Sequence, residues 1–211
     1  GFNNPDTLNK DVEQLCKELG KTEIHLHLEG LIRHKTLKTI LNNKPDLPQK
    51  SEKELKQFFH FGGSLQNFIK AYLIFQNSIN KEEEYKLLIE DLAAYMEQEN
   101  ILYAEVYISI TIPLRNGLTY DKIVRVLEKT LNELEGDGPP RIRFIIDISR
   151  TFGIENAKAN LEMLLARPSK YIIGIGLGGD EENGAAKNFA HIFQRARAKG
   201  LHVVAHAGED A

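Results

Sequence analysis

Five short apolar runs, each separated from the next by helical sequence patterns, restrict the fold of this chain more than any other feature. The runs Thr22–His27, Ile101–Ser109, Arg141–Ser149, Tyr171–Gly176 and Leu201–His206 are β-branched and apolar, as strands buried on both faces should be. Between them, Tyr85, Leu88, Ile89, Leu92 and Met96 share one helical face, and Tyr120, Ile123, Val124, Leu127, Leu131 and Leu134 share another. Thr119 stands where an N-cap belongs, and Gly136 stands where that helix should end. Two more helices are predicted over Ile154–Leu165, before Pro168, and Ala185–Ala198, before Gly200. The alternation predicts parallel strands joined by right-handed crossovers. An open doubly wound sheet and part of a (β/α)8 barrel both satisfy it. The stretch Leu28–Asn100 is much longer than a simple crossover and holds several helices. An insertion of that kind walls or covers a site at the C-terminal ends of the strands.

The 211 residues suit one domain spanning positions 1–211, with Gly136-Asp137-Gly138-Pro139-Pro140 as a connection inside it. Net charge is −3, and acidic and basic residues are interspersed. The charge pattern points away from nucleic acid and from an anionic membrane, and towards a small-molecule ligand. A single cysteine, Cys16, allows no internal disulfide and suits a reducing compartment. Its polar helical surroundings mark it as structural filler. The N-terminal residues lack a signal-peptide pattern, and no run reaches the ~18 apolar residues of a membrane span. The expected location is cytoplasmic.

Chemistry enters through three places. His25 and His27 are two apart in a strand, so both face one side, with Ile24, Leu26 and Leu28 turned towards outer helices. Such a pair can chelate one metal ion, although two hydrogen-bonded structural histidines would show the same spacing. In His206-Ala207-Gly208-Glu209, a histidine again ends a strand, and a carboxylate three residues on could exchange protons beside a metal. Gly174-Ile175-Gly176-Leu177-Gly178-Gly179-Asp180-Glu181 reads as a glycine-rich turn ending the fourth strand. It lacks the phosphate-binding frames, and close backbone approach to a flat ligand suits it better. Phe58, Phe59, Phe61, Phe68 and Tyr72 read as core packing, with a pocket wall as the alternative. Glu105, Asp147 and Arg150 are expected to pair their charges inside the sheet or at its mouth. His34, His60, His191 and His202 have no partner pattern.

Taken together, His25-Leu26-His27-Leu28-Glu29-Gly30, Leu177-Gly178-Gly179-Asp180-Glu181 and His206-Ala207-Gly208-Glu209 resemble, in order and spacing, three motifs of the adenosine and adenine deaminase family of zinc-dependent hydrolases. The resemblance runs from about Lys21 onward. It also takes in Phe58–Tyr72, like the family's lid helices, and Tyr103-Ala104-Glu105-Val106, like its second strand. It implies a TIM-type (β/α)8 barrel, of which this chain carries the first five β/α units with a helical insertion after the first strand. It implies one zinc ion held by His25, His27 and His206, and Glu209 as proton donor to the purine N1. By the same resemblance Gly179 meets the purine N3, Glu29 contacts the sugar side, and His27 also lies near the ligand. The activity implied is hydrolysis of the 6-amino group of an adenine-type purine to the 6-oxo product and ammonia, a step of purine metabolism. Another metal-dependent amidohydrolase, or an inactive fragment with a vestigial site, are the competing readings.

Two departures stand out. Position 29 is Glu where many nucleoside deaminases of the family have Asp, which leaves adenosine, adenine and a modified nucleoside such as aminodeoxyfutalosine all open. The family's water-orienting histidine and its Asp-Asp pair, with the fourth zinc ligand, have no counterpart in these residues. The expectation is that the chain is a truncated or proteolysed product, or that a separate C-terminal polypeptide supplies the last three strands. Negligible deamination by the chain alone is expected with it.

Overall fold

All five strands run parallel and pair in sequence order: β1 (Lys21–His27), β2 (Ile101–Ile108), β3 (Ile142–Ser149), β4 (Ile172–Gly178) and β5 (His202–Ala205). A doubly wound sheet would reverse its strand order at a switch point. Consecutive order without reversal is the barrel topology, and the strands form a half-barrel. The computed structural model describes residues 5–44, 53, 72–73 and 75–209. Most of the insertion, including Phe58, Phe59, His60, Phe61 and Phe68, lies outside the described residues.

The helices follow from the sequence pattern. In α1 (Pro5–Glu18), Cys16 is exposed, so it fills no interior space. After β1 come a 3-10 turn (Leu28–Leu31) and α2 (His34–Asn42). Helix α3 (Glu82–Gln98) buries Tyr85, Leu88, Ile89, Leu92 and Met96 completely. The Glu84 carboxylate accepts the Asn80 and Lys81 amides at its start. Between β2 and β3 lie α4 (Thr111–Arg115) and α5 (Tyr120–Glu135). The Thr119 hydroxyl accepts the Lys122 amide, and Gly136 ends α5 at φ 53°. The apolar face of α5 is buried except at its last turn, where Leu134 is exposed. Then follow α6 (Gly153–Ala166) and α7 (Ala190–Ala198), whose entry is a 3-10 turn over Ala186–Phe189 rather than α-helix.

The core lies between these helices and the outward residues of the strands, among them Val106, Ile108, Phe144, Ile146, Ile175 and Leu177. Ile24 does not join it. Leu28 is buried and Leu26 packs against the core, but Ile24 is 63% exposed. Among the described residues, strand β1 pairs only with β2, and its register shifts between Glu23 and Leu26. A period-2 reading assumes an unbroken ladder with neighbours on both sides, and neither holds at Ile24. Among the described residues, no helix is long and apolar enough to cross a membrane.

Candidate active site

The inward-facing ends of β1 and β5 bring three imidazoles to one point. The His206 Nε2 lies 2.9 Å from His25 Nε2 and 3.1 Å from His27 Nε2. Ligand nitrogens from the three rings all lie within 4.8 Å of one another, a group that could hold a metal ion. Two nitrogens bound to one tetrahedral ion at ~2.0–2.1 Å stand roughly 3.3 Å apart, so the spacing is close to that of a ligand set. The His206 Nδ1 lies 3.1 Å from the Leu177 carbonyl, and donating there leaves the Nε2 lone pair for the common point. Burial, reinforced by the neighbouring His206 and His25, pushes His27 down to about 4. Its ring is therefore neutral through the neutral range, and protons compete for it only as pH falls towards that value.

Tyr107 forms the floor beneath the histidines. Its ring stacks on His27 at 4.9 Å and tilts against His25 at 4.8 Å. A Cβ on Gly176 would sit 2.6 Å from that ring, so the glycine makes room for it. The glycine run is thus strand for most of its length. Strand β4 continues through Gly178 instead of turning after Gly176, and Gly174, Gly176 and Gly178 keep its inner face free of side chains. The true turn is at Gly179, with φ +84° and no room for a Cβ, which would lie 2.5 Å from Ser149 Oγ.

A cavity of about 130 Å³ opens beside the histidines. His27, His206, Gly179, Glu209, Ser109 and Asp147 are on its wall, with Tyr72. From the sequence, Asp147 is expected only as a paired charge. Its Oδ2 is 3.8 Å from His27 Nδ1, while its buried Oδ1 has no hydrogen-bond partner among the described residues. Burial raises this carboxyl to about 6. The expected pairing with Arg150 does not form. Arg150 sits in the turn after β3, and its guanidinium donates to the carbonyls of Gly184 and His206 instead. Glu105 accepts from the Tyr103 hydroxyl.

Glu29 stands one layer back. It is 2% exposed, accepts the Ser109 amide at 2.9 Å and the Tyr72 hydroxyl at 2.8 Å, and so holds two residues of the cavity wall. Burial raises its carboxyl to about 7, against the opposing pull of those hydrogen bonds. A carboxyl raised on folding favours the folded state most when protonated. The stability it contributes is complete below about 4.5 and is lost as pH rises through about 7. Glu29→Gln should remove this dependence. Urea midpoints measured from pH 5 to 8 should show the variant gaining on wild type as pH rises, by up to about 3 kcal/mol. A constant difference across that range would show that Glu29 does not titrate there.

A sequence model of the family described as "Adenosine deaminase" matches residues 20–211. An uncharacterized deaminase from Schizosaccharomyces pombe is 30% identical over 197 residues, which cover 93% of this chain and 58% of that protein. The crystal structure of an adenine deaminase from Arthrobacter aurescens superposes with a TM-score of 0.79 at 26% identity, covering 90% of this chain and 58% of that one. A Burkholderia ambifaria amidohydrolase solved with bound Zn gives a TM-score of 0.80 at 21% identity, over 90% and 52% of the two chains. The chain therefore spans a little under three-fifths of the curated relative it matches. With a family match across nearly its whole length and the three histidines converging at the strand ends, this chain belongs to the adenosine deaminase family.

Proposed function

We propose that the protein hydrolyses the 6-amino group of an adenine-type purine, releasing ammonia and leaving the 6-oxo purine. The observation that carries this reading is the convergence of three imidazole nitrogens beside a cavity whose wall includes both Gly179 and Glu209. His25, His27 and His206 would hold one zinc ion, and the Arthrobacter adenine deaminase and the zinc-bound Burkholderia structure support the pairing of that chemistry with this fold. Zinc at such a centre supplies Lewis acidity and lowers the pKa of water towards ~7.

The chain's own groups do the rest. Glu209 delivers a proton to the ring nitrogen N1, which withdraws electron density from C6 and prepares it for water addition. Gly179, unable to carry a side chain, lets a flat ring edge approach its backbone. Asp147 faces the Nδ1 side of His27 and orients that ligand. Glu29 acts on the sugar side of the ligand through Tyr72 and Ser109, which it holds in place. Water gives its oxygen to C6; one of its protons goes to the amino nitrogen, which leaves as ammonia, the other restores Glu209, and the proton that Glu209 gave stays on N1 of the 6-oxo product.

Adenine, adenosine and aminodeoxyfutalosine, each incubated with the full-length protein in the presence and absence of a zinc chelator, provide the test. Chelator-sensitive ammonia release with loss of the adenine absorbance is expected for at least one of them. Ammonia release unaffected by full metal removal would overturn the zinc reading. No release from any of the three by the zinc-loaded full-length protein would overturn the proposed reaction.

A further inference from the structure

The acidic residues that follow Gly179 have no part in the chemistry above, yet both carboxylates bind backbone amides. Asp180 closes the turn after β4: its carboxylate accepts the Asn183 amide at 3.1 Å and the Asn183 side chain at 2.8 Å, and its carbonyl accepts the Gly184 amide at 3.1 Å. The turn so formed aims Glu181 across to the segment that follows β5. There Glu181 Oε1 accepts the Gly208 amide at 2.9 Å, and Oε2 accepts the Glu209 amide at 3.0 Å. One carboxylate thus grips two successive amides, each bond strengthened by the charge.

We propose that Glu181 is a positioning residue for Glu209, fixing the backbone from which the proton donor projects. The inference rests on the reading of Glu209 as that donor. Gly208 has φ +79° with no atom within 4 Å of where a Cβ would be, and both Gly208 and Glu209 are exposed, so packing restrains them little. At the other end of the segment, Arg150 donates to the His206 carbonyl at 2.6 Å, and the His206 amide donates to Leu177 at 2.8 Å. His206 is therefore held independently of Glu181. Removing Glu181 should loosen Glu209 while leaving His206 in place. A misplacement of about 1 Å can cost on the order of 10²-fold in rate, so the effect should fall on turnover.

The test is a double-mutant cycle on the purified full-length protein, using Glu181→Ala, Glu181→Gln, Glu209→Gln and the double variant Glu181→Ala/Glu209→Gln. Glu181→Ala should lower kcat by on the order of 10–10²-fold with KM and zinc content close to wild type. Glu181→Gln, which keeps one acceptor oxygen, should fall between the two. In the Glu209→Gln background, Glu181→Ala should cost nothing further, because the group it positions is already gone. Hydrogen exchange should show the amides of Gly208 and Glu209 losing protection while those of β4 keep theirs. Additive losses would overturn the proposal, since a general structural role adds. Unchanged exchange at 208 and 209 in either Glu181 variant would also overturn it. Wild-type turnover in Glu209→Gln would instead reject the donor assignment, and the inference with it.

Discussion

In the full-length protein, His206→Ala is expected to strip the proposed zinc and to remove all but a trace of turnover. The Nε2 of His206 is the hub of the cluster, at 2.9 Å from one partner nitrogen and 3.1 Å from the other. Without it, His25 and His27 offer two adjacent nitrogens from one strand, and the side of the centre facing β5 is empty of donors. Loss of a group that merely orients a ligand typically costs 10–100-fold in metal affinity, so loss of a ligand should exceed roughly 10²-fold. The substitution is also a clean one. The backbone amide to Leu177 and the carbonyl that accepts from Arg150 both survive in alanine, so the end of β5 keeps its anchors. Zinc content per chain after dialysis, with affinity from chelator competition, provides the measurement. One equivalent of zinc held at wild-type affinity by His206→Ala would show that the three histidines are not a ligand set.

The shared face of His25 and His27 was legible from a local rule, whereas their grouping with His206 as one ligand set came from the resemblance to the deaminase family. A period of two fixes His25 and His27 on one face, and a histidine at a strand end needs only the strand to be recognised. The helices that bury Tyr85 to Met96 and Tyr120 to Leu131 were legible for the same reason. What could not be read depends on neighbours distant in sequence. Glycines carry no polarity, so Gly174, Gly176 and Gly178 looked like a turn. Only the register of β4 beside β3, and the Tyr107 ring lying against Gly176, show why the strand is bare. Asp147 and Arg150 were noticed as charges, but their partners sit on other strands and loops, and one partner is a backbone carbonyl with no signature at all. Glu29 is adjacent to the histidine pair in sequence, yet the 3-10 turn over Leu28–Leu31 carries it behind Tyr72 and Ser109. Ile24 followed the strand pattern and failed for want of a second neighbouring strand to regularise the ladder.

In the full-length protein, Glu209→Gln should separate metal binding from the proposed proton transfer more sharply than any other single change. The side chain lies on the cavity wall beside His206 but outside the three-nitrogen cluster, so zinc content should match wild type. Its backbone amide, which donates to Glu181, is unaltered by the substitution, and the turn should keep its shape. What glutamine lacks is an exchangeable carboxyl proton. An amide can still donate a hydrogen bond to a ring nitrogen, but it cannot transfer the proton in the step that makes C6 electrophilic. Turnover should therefore fall by roughly 10²–10⁴-fold, the usual range for a positioned general acid, while KM changes far less because the hydrogen bond to the ligand survives. The charge on Glu209 is also felt by His25, which it favours in the protonated form against the stronger effect of burial. Neutralising residue 209 removes that opposing pull, so zinc should be retained to slightly lower pH than in wild type. Steady-state kinetics on the best of the three purine substrates, alongside metal analysis of the same preparation, measure both halves. Turnover within a few-fold of wild type in fully zinc-loaded Glu209→Gln would assign the proton transfer to another group, and Asp147 on the same wall would be the first residue to replace.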